Sequence, residues 1–254
     1  MTLKILTMGR EDLMNEIDER IAELKKAAEK GDAEAQSQWG LLLATGDHVP
    51  QNMEEALSWL RKAAQQGEVT AMFNLGIILE KGLGSEASPD EAALWYWQAA
   101  EIGDSQAKMK LGTMLIKGLG FSPGSPAFRA VEASAERGHP YAQSFYAKLH
   151  LDGVGVKPDS EVAEKWFRLS AAQGDESAIF NLGEMMAEGI TVLTPEEELS
   201  QWFFDLGMKY LKSGDLVKAF DCLVGIKRID PESFLSQRLE DDIERANQQQ
   251  RPRE

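Results

Sequence analysis

The sequence predicts an all-α protein, a right-handed superhelix (solenoid) built from stacked helix pairs. Three observations predict it. An alanine recurs at Ala35, Ala71, Ala107, Ala142 and Ala178, with spacings of 36, 36, 35 and 36 residues. Five residues after each stands a small residue: Gly40, Gly76, Gly112, Ala147 and Gly183. Six further on comes a glycine at Gly46, Gly82, Gly118, Gly153 and Gly189, and another precedes each alanine at Gly31, Gly67, Gly103, Gly138 and Gly174. Registers held at periods of about 20–50 residues mark repeat architectures. One helix pair cannot bury its apolar face alone, so stacked pairs follow.

The first helix of each unit is represented by AMFNLGIILEKGLG at 71–84, with Phe73, Leu75, Ile78 and Leu79 at helical spacing. Gly76 inside it costs roughly 1 kcal/mol against alanine, which is tolerable where another helix crosses close to the backbone. The glycine after Lys81 suits the left-handed position that ends a helix.

The second helix has its own start signals. In Ser88-Pro89-Asp90-Glu91, the serine is placed to cap, the proline fits the first turn, and Glu91 completes a capping box. Thr194-Pro195-Glu196-Glu197 repeats the pattern. Alanine and tryptophan then sit three apart at Ala56 and Trp59, Ala92 and Trp95, and Ala163 and Trp166. The indoles are expected to fill the gap between neighbouring pairs, beside the small residues Ala63-Ala64, Ala99-Ala100 and Ser170-Ala171. A glycine followed by an acid, as in Gly31-Asp32 and Gly174-Asp175, ends one helix and caps the next.

Composition excludes several functions. The 254 residues carry 27 basic and 42 acidic side chains, a net charge of −15, which repels nucleic-acid phosphates and anionic membranes and favours a basic partner if any. No apolar run reaches the ~18–20 residues of a membrane span. The first twenty residues hold no extended apolar core and no A-x-A cleavage pattern. One cysteine, Cys222, leaves no intramolecular disulfide and no Cys-based zinc site. The expected setting is the cytoplasm.

At these residues the chain resembles the Sel1-like repeat family, relatives of the tetratricopeptide repeats. The stretches that carry the resemblance are AMFNLGIILEKGLG (71–84), AKMKLGTMLIKGLG (107–120), AIFNLGEMMAEG (178–189) and AEKWFRLSAAQGD (163–175). FFDLGMKYLKSGDLVKAFDCLVGIKRIDP (203–231) is similar to a tetratricopeptide unit through Leu206, Gly207, Tyr210, Gly214-Asp215, Ala219 and Pro231. The resemblance divides the chain into an N-terminal capping helix over 1–30, five Sel1-like repeats over 31–202, a tetratricopeptide-like unit over 203–231, and a C-terminal capping helix with a polar tail over 232–254. A helix near 196–213 serves both repeat types. Two places depart from the pattern. The third unit runs FSPGSPAFRAVEASAERG (121–138), with Ala130 where tryptophan is expected, and the first has Trp39 at the leucine position.

The residues offer no catalytic, cofactor or metal set. His48, His139 and His150 fall on three units without paired spacing. Cys222 sits mid-helix beside Leu223 with no base in its sequence neighbourhood. Gly82-Leu83-Gly84, Gly118-Leu119-Gly120 and Gly153-Val154-Gly155 are repeat turns and not phosphate cradles. The carboxylates Glu54-Glu55, Asp90-Glu91, Glu196 to Glu198 and Asp241-Asp242 complement helix N-termini or solvent.

The resemblance implies a partner-binding groove instead. In tetratricopeptide geometry the concave face takes first-helix residues five and two before the leucine, and two, five and six after it. That register gives Thr70, Phe73, Ile77, Glu80 and Lys81; then Met109, Thr113 and Lys117; then Tyr141 and Lys148; then Phe180 and Glu184; and in the last unit Phe204, Met208 and Lys212. Apolar residues interleaved with charges suit an extended or helical peptide. The resemblance therefore implies a non-enzymatic scaffold for a protein partner in prokaryotic regulation or complex assembly. Its alternatives are an immunity protein neutralising a toxin and a β-lactam-binding or hydrolysing enzyme. Members of that last kind carry cysteine pairs this chain lacks. Nucleic acid and membrane are not expected partners, and oligomeric state is left open.

Overall fold

The computed structural model describes residues 10–190 and 194–250; the beginning of the N-terminal cap and the end of the polar tail lie outside these. Among the described residues there are helices and turns but no strand. The chain forms two compact units, Met1–Phe128 and Arg129–Glu254.

The first unit holds α1 (Arg10–Glu29), α2 (Ala33–Thr45), α3 (Met53–Gln65), α4 (Val69–Lys81), α5 (Pro89–Glu101) and α6 (Ser105–Ile116). The division falls within α7 (Pro126–Glu136). The second unit continues with α8 (Pro140–Asp152), α9 (Ser160–Ala171), α10 (Glu176–Ala187), α11 (Glu196–Ser213), α12 (Leu216–Ile229) and α13 (Phe234–Gln250). Helices pack as consecutive pairs, α2 with α3, α4 with α5, and α8 with α9, and each pair packs on its neighbour through α3–α4 or α9–α10. This is the stacked-pair arrangement of an all-α solenoid.

Local chemistry sets the helix ends. The carboxylates of Asp32, Asp104 and Asp175 accept hydrogen bonds from the amides of Ala35 (2.7 Å), Ala107 (2.6 Å) and Ala178 (2.9 Å). Each satisfies an orphan donor in the first turn. Glu68 does the same for Ala71. His139 occupies the equivalent place without a side-chain cap bond, and Pro140 follows at the helix start. The glycines that close first helices adopt left-handed conformations, as Gly82 does at φ 65°.

Two expected capping boxes are corrected. Ser88 stands at the start of α5, but its side chain makes no cap bond. Glu91 instead accepts hydrogen bonds from Arg61 and Trp95. At α11 the cap position is Pro195, and the Thr194 hydroxyl donates to the buried carboxylate of Glu164. The Glu91 carboxylate and the Thr194 hydroxyl thus each bond to a group on another helix.

The tryptophan expectation is corrected too. Trp59, Trp95, Trp166 and Trp202 are only half-buried. The indole N–H groups of Trp59 and Trp95 donate to Glu55 and Glu91, one turn back on the same helix. The residue after each tryptophan position does the filling: Leu60, Tyr96, Val131, Phe167 and Phe203 are all essentially inaccessible. These side chains meet the mid-helix glycines. A Cβ on Gly40 would stand 2.9 Å from Leu60, one on Gly76 2.5 Å from Tyr96, and one on Gly183 3.0 Å from Phe203. Gly112 is the exception, with nothing within 4 Å.

Glutamines tie pairs together. Gln66 donates to Gln36 (2.7 Å), which donates to the Ala28 carbonyl (3.1 Å). Gln173 donates to Gln143 (2.8 Å), which donates to the Ala135 carbonyl (3.3 Å). Each relay links the last turn of one helix pair to the next.

Candidate functional site

The residues expected to form a groove lie on first helices of both units and are distributed unevenly between solvent and core. Thr70, Lys81, Met109, Thr113, Lys117, Glu184 and Lys212 are exposed, while Phe73, Ile77, Glu80, Tyr141, Lys148, Phe180 and Met208 are half-buried. Met109 is 68% exposed. Phe204 is a correction: it is buried at 6%, with the Arg238 guanidinium of α13 5.2 Å from its ring centre. The C-terminal helix lies on this part of α11 and removes Phe204 from any partner's reach. Met208 and Leu211 pack against the same core.

In the first unit, Thr70 and Ile77 line cavities along the seam between α2 and α4. One of about 430 Å³ is bordered by Glu34, Ser37, Leu41 and Thr70. The next, about 320 Å³, is bordered by Leu41, Ala44, Asn74, Ile77 and Leu83. Leu41, Ser37, Glu34 and Ala44 border these cavities and are missing from the expected set. The signal for them was present, because the same register counted from Trp39 gives those positions.

Some of the expected residues are engaged inside the fold. The Glu80 carboxylate accepts hydrogen bonds from the Tyr96 hydroxyl and the Lys110 ammonium, both at 2.8 Å. Burial pulls its pKa upward, but those two bonds and the charge of Lys110 outweigh it and hold the carboxyl below its ordinary value. Burial, then the Glu80 contact, pushes the Tyr96 phenol up. Phe73 lies 5.7 Å from the Tyr96 ring, so both anchor the crossing at Gly76. Lys148 pairs with Asp152 at 2.8 Å within α8. Tyr141 packs on Phe145 at 6.1 Å, and burial raises its phenol pKa.

In the second unit, Phe180 and Glu184 of α10 face a cavity of about 230 Å³ shared with Asp221, Val224 and Arg228 of α12. Its floor is Phe203, edge-on to Phe180 with ring centres 5.2 Å apart. The α12 side of this cleft lay beyond the expected set, since the register rule addresses first helices alone.

No described group of three or more histidine, cysteine or acidic residues is placed to hold a metal. Neither ring nitrogen of His150 has a hydrogen-bond partner; its ring stands edge-on to Tyr146 at 4.7 Å. Burial lowers its pKa against the opposing pull of Asp159 and Glu132. Cys222 is buried, and burial, with Glu176 and Asp221 nearby, pushes its thiol up to about 12. At neutral pH it is a protonated core residue. Among the described residues no helix is long and apolar enough to cross a membrane.

The geometry defines an all-α repeat protein, with cavities along the α2–α4 seam in the first unit and between α10 and α12 in the second. The Sel1 repeat model matches residues 33–68, 69–104, 140–175 and 176–207, more than half of the chain, and the chain belongs to the Sel1 repeat family. Residues 105–139, which contain the irregular loop, fall outside those matches. No curated protein matches significantly. Several solved structures are similar. c5321, a protective antigen of uropathogenic Escherichia coli with an SLR fold, is 24% identical over 91% of this chain and 49% of its own, with a TM-score of 0.46. A Sel1 repeat protein from Oxalobacter formigenes is 26% identical over 84% of this chain and 99% of its own, TM-score 0.42. The immunity protein Pa5087 from Pseudomonas aeruginosa is 21% identical over 85% of this chain and 81% of its own, TM-score 0.36. The chain thus spans about half the length of the Escherichia coli protein.

Proposed function

We propose that this protein is a non-enzymatic adaptor that captures a partner protein on the face formed by its first helices, in the cytoplasm of a prokaryotic cell. Sel1 repeat proteins are in general protein-interaction scaffolds, and membership of that family supports the coarse reading. The observation that carries the finer one is the seam between α2 and α4. There Leu41, Thr70 and Ile77 border successive cavities on the face that the repeat register assigns to a groove. Apolar anchors in such cavities supply affinity, and surrounding charges set partner choice and encounter rate. The acidic balance of the chain, −15, favours a basic partner.

The test is affinity capture from host cells with the full chain, compared with an Ile77→Arg, Met109→Glu double variant. A protein retained by the wild type and lost from the variant, at unchanged melting temperature, supports the reading. Equal retention by both moves the site off this face.

A further inference from the structure

The cleft between α10 and α12 holds more specific information, and its interpretation rests on the scaffold reading. Phe203 of α11 is clasped from two sides by glycines. A Cβ on Gly183 would lie 3.0 Å from its ring and one on Gly225 2.6 Å. Both helices therefore approach the ring closely, and the space above it stays open at about 230 Å³. That is below the ~300–1,000 Å³ usual for small-molecule sites, and it suits a single side chain presented by a larger partner.

The walls add direction. On α12, Val217, Phe220 and Val224 fall at i, i+3 and i+7 and are 74%, 54% and 37% exposed. They form an apolar stripe that leads into the cavity through Val224. Glu184 on the α10 wall and Asp221 on the α12 wall are exposed, and no ion pair is formed by either among the described residues. Arg228 lines the same cavity two turns along from Asp221. Two free carboxylates thus flank an apolar slot, and Arg228 is the one cation among its described lining residues.

The geometry points to this cleft as the docking site for a basic amphipathic segment of a partner protein. One apolar side chain of that segment enters above Phe203, its neighbours cover the Val217–Val224 stripe, and its Lys or Arg side chains meet Glu184 and Asp221. Arg228 repels a cation at its end, so the segment's positive charge is confined to the Asp221 side. A second copy docking face to face would oppose two net-acidic clefts, which disfavours self-association here.

Fluorescence anisotropy with the full chain tests this. The probes are a labelled amphipathic helix of leucine and lysine, roughly five turns long, and its leucine–glutamate counterpart. The lysine peptide is expected to bind at least about tenfold tighter, with affinity falling as salt rises. Glu184→Gln with Asp221→Asn is expected to weaken it about fivefold or more, and Val224→Lys to abolish it, with the melting temperatures unchanged because these side chains are solvent-facing. Equal binding of both peptides, or wild-type affinity in the variants, overturns the assignment. So does a concentration-dependent dimer that Phe220→Asp dissolves. The scaffold reading is judged separately. If the chain carrying Ile77→Arg and Met109→Glu loses its host partner while Val224→Lys retains it, the scaffold stands and the α10–α12 cleft falls.

Discussion

Gly76 and Tyr96 are fitted to each other: a Cβ built on Gly76 would stand 2.5 Å from the Tyr96 ring. The ring cannot retreat. It is fully buried, and its hydroxyl donates to Glu80, which also holds Lys110. The repeat therefore keeps a helix-weakening residue where helix propensity alone would place alanine, and the stability of the pair rests on that closeness.

Gly76→Ala is expected to destabilise by about 1–3 kcal/mol through overpacking. Gly112→Ala occupies the same register but meets nothing within 4 Å. It is expected to stabilise by up to about 1 kcal/mol through helix propensity. Thermal melts of the two variants check this, with melting temperatures moving in opposite directions.

The buried column beside the tryptophans sets a second contrast. Tyr96→Ala and Phe167→Ala remove fully buried rings and are expected to cost about 3–5 kcal/mol each. Trp95→Ala removes a half-buried indole that bonds within its own helix, and is expected to cost clearly less. Urea unfolding of the three variants gives the ranking; an equal loss at Trp95 would make the indoles the principal filler.

Glu80 gives a pH dependence with a defined sign. Its folded pKa is depressed below the ordinary 4.5, so its contribution is complete above that value and is lost as pH falls through the folded value. Glu80→Gln is expected to lower the melting temperature at neutral pH. The gap to wild type is expected to narrow as pH drops below 4.5. A constant gap across that range would show that the carboxylate charge contributes nothing.

Cys222 is expected to resist thiol reagents. With the side chain buried and its pKa pushed up to about 12, modification at pH 8 waits on unfolding. Labelling by a disulfide reagent should be slow in buffer and rapid in denaturant; rapid labelling in buffer would place the thiol at the surface.

The sequence announces the helix pairs because glycine and alanine recur in register, and each has a local physical task that spacing reveals. Gly82 closes a helix in the left-handed region, and Asp32 caps the next start. The gap-filling residue is less legible. The tryptophan column repeats one conspicuous residue, whereas the buried column varies as Leu60, Tyr96, Val131, Phe167 and Phe203. Adjacent helical positions differ by one step around the axis, so periodicity alone cannot say which meets the crossing helix. At the two expected capping boxes, Arg61 takes Glu91 and Glu164 takes Thr194, each from another helix, and Ser88 makes no cap bond. Of the candidate groove, Thr70, Ile77, Phe180 and Glu184 do border cavities. Phe204 does not, because α13 covers it, a contact made by sequence far downstream. The Val224 and Arg228 wall arises from α12, outside any first-helix register.

Hydrogen–deuterium exchange of the chain, alone and bound to its captured host partner, addresses the adaptor claim most directly. Slowed exchange concentrated in the first helices, at 33–45, 69–81, 105–116 and 176–187, is the predicted result. Protection confined to the second helices, at 53–65, 89–101 and 160–171, would contradict it.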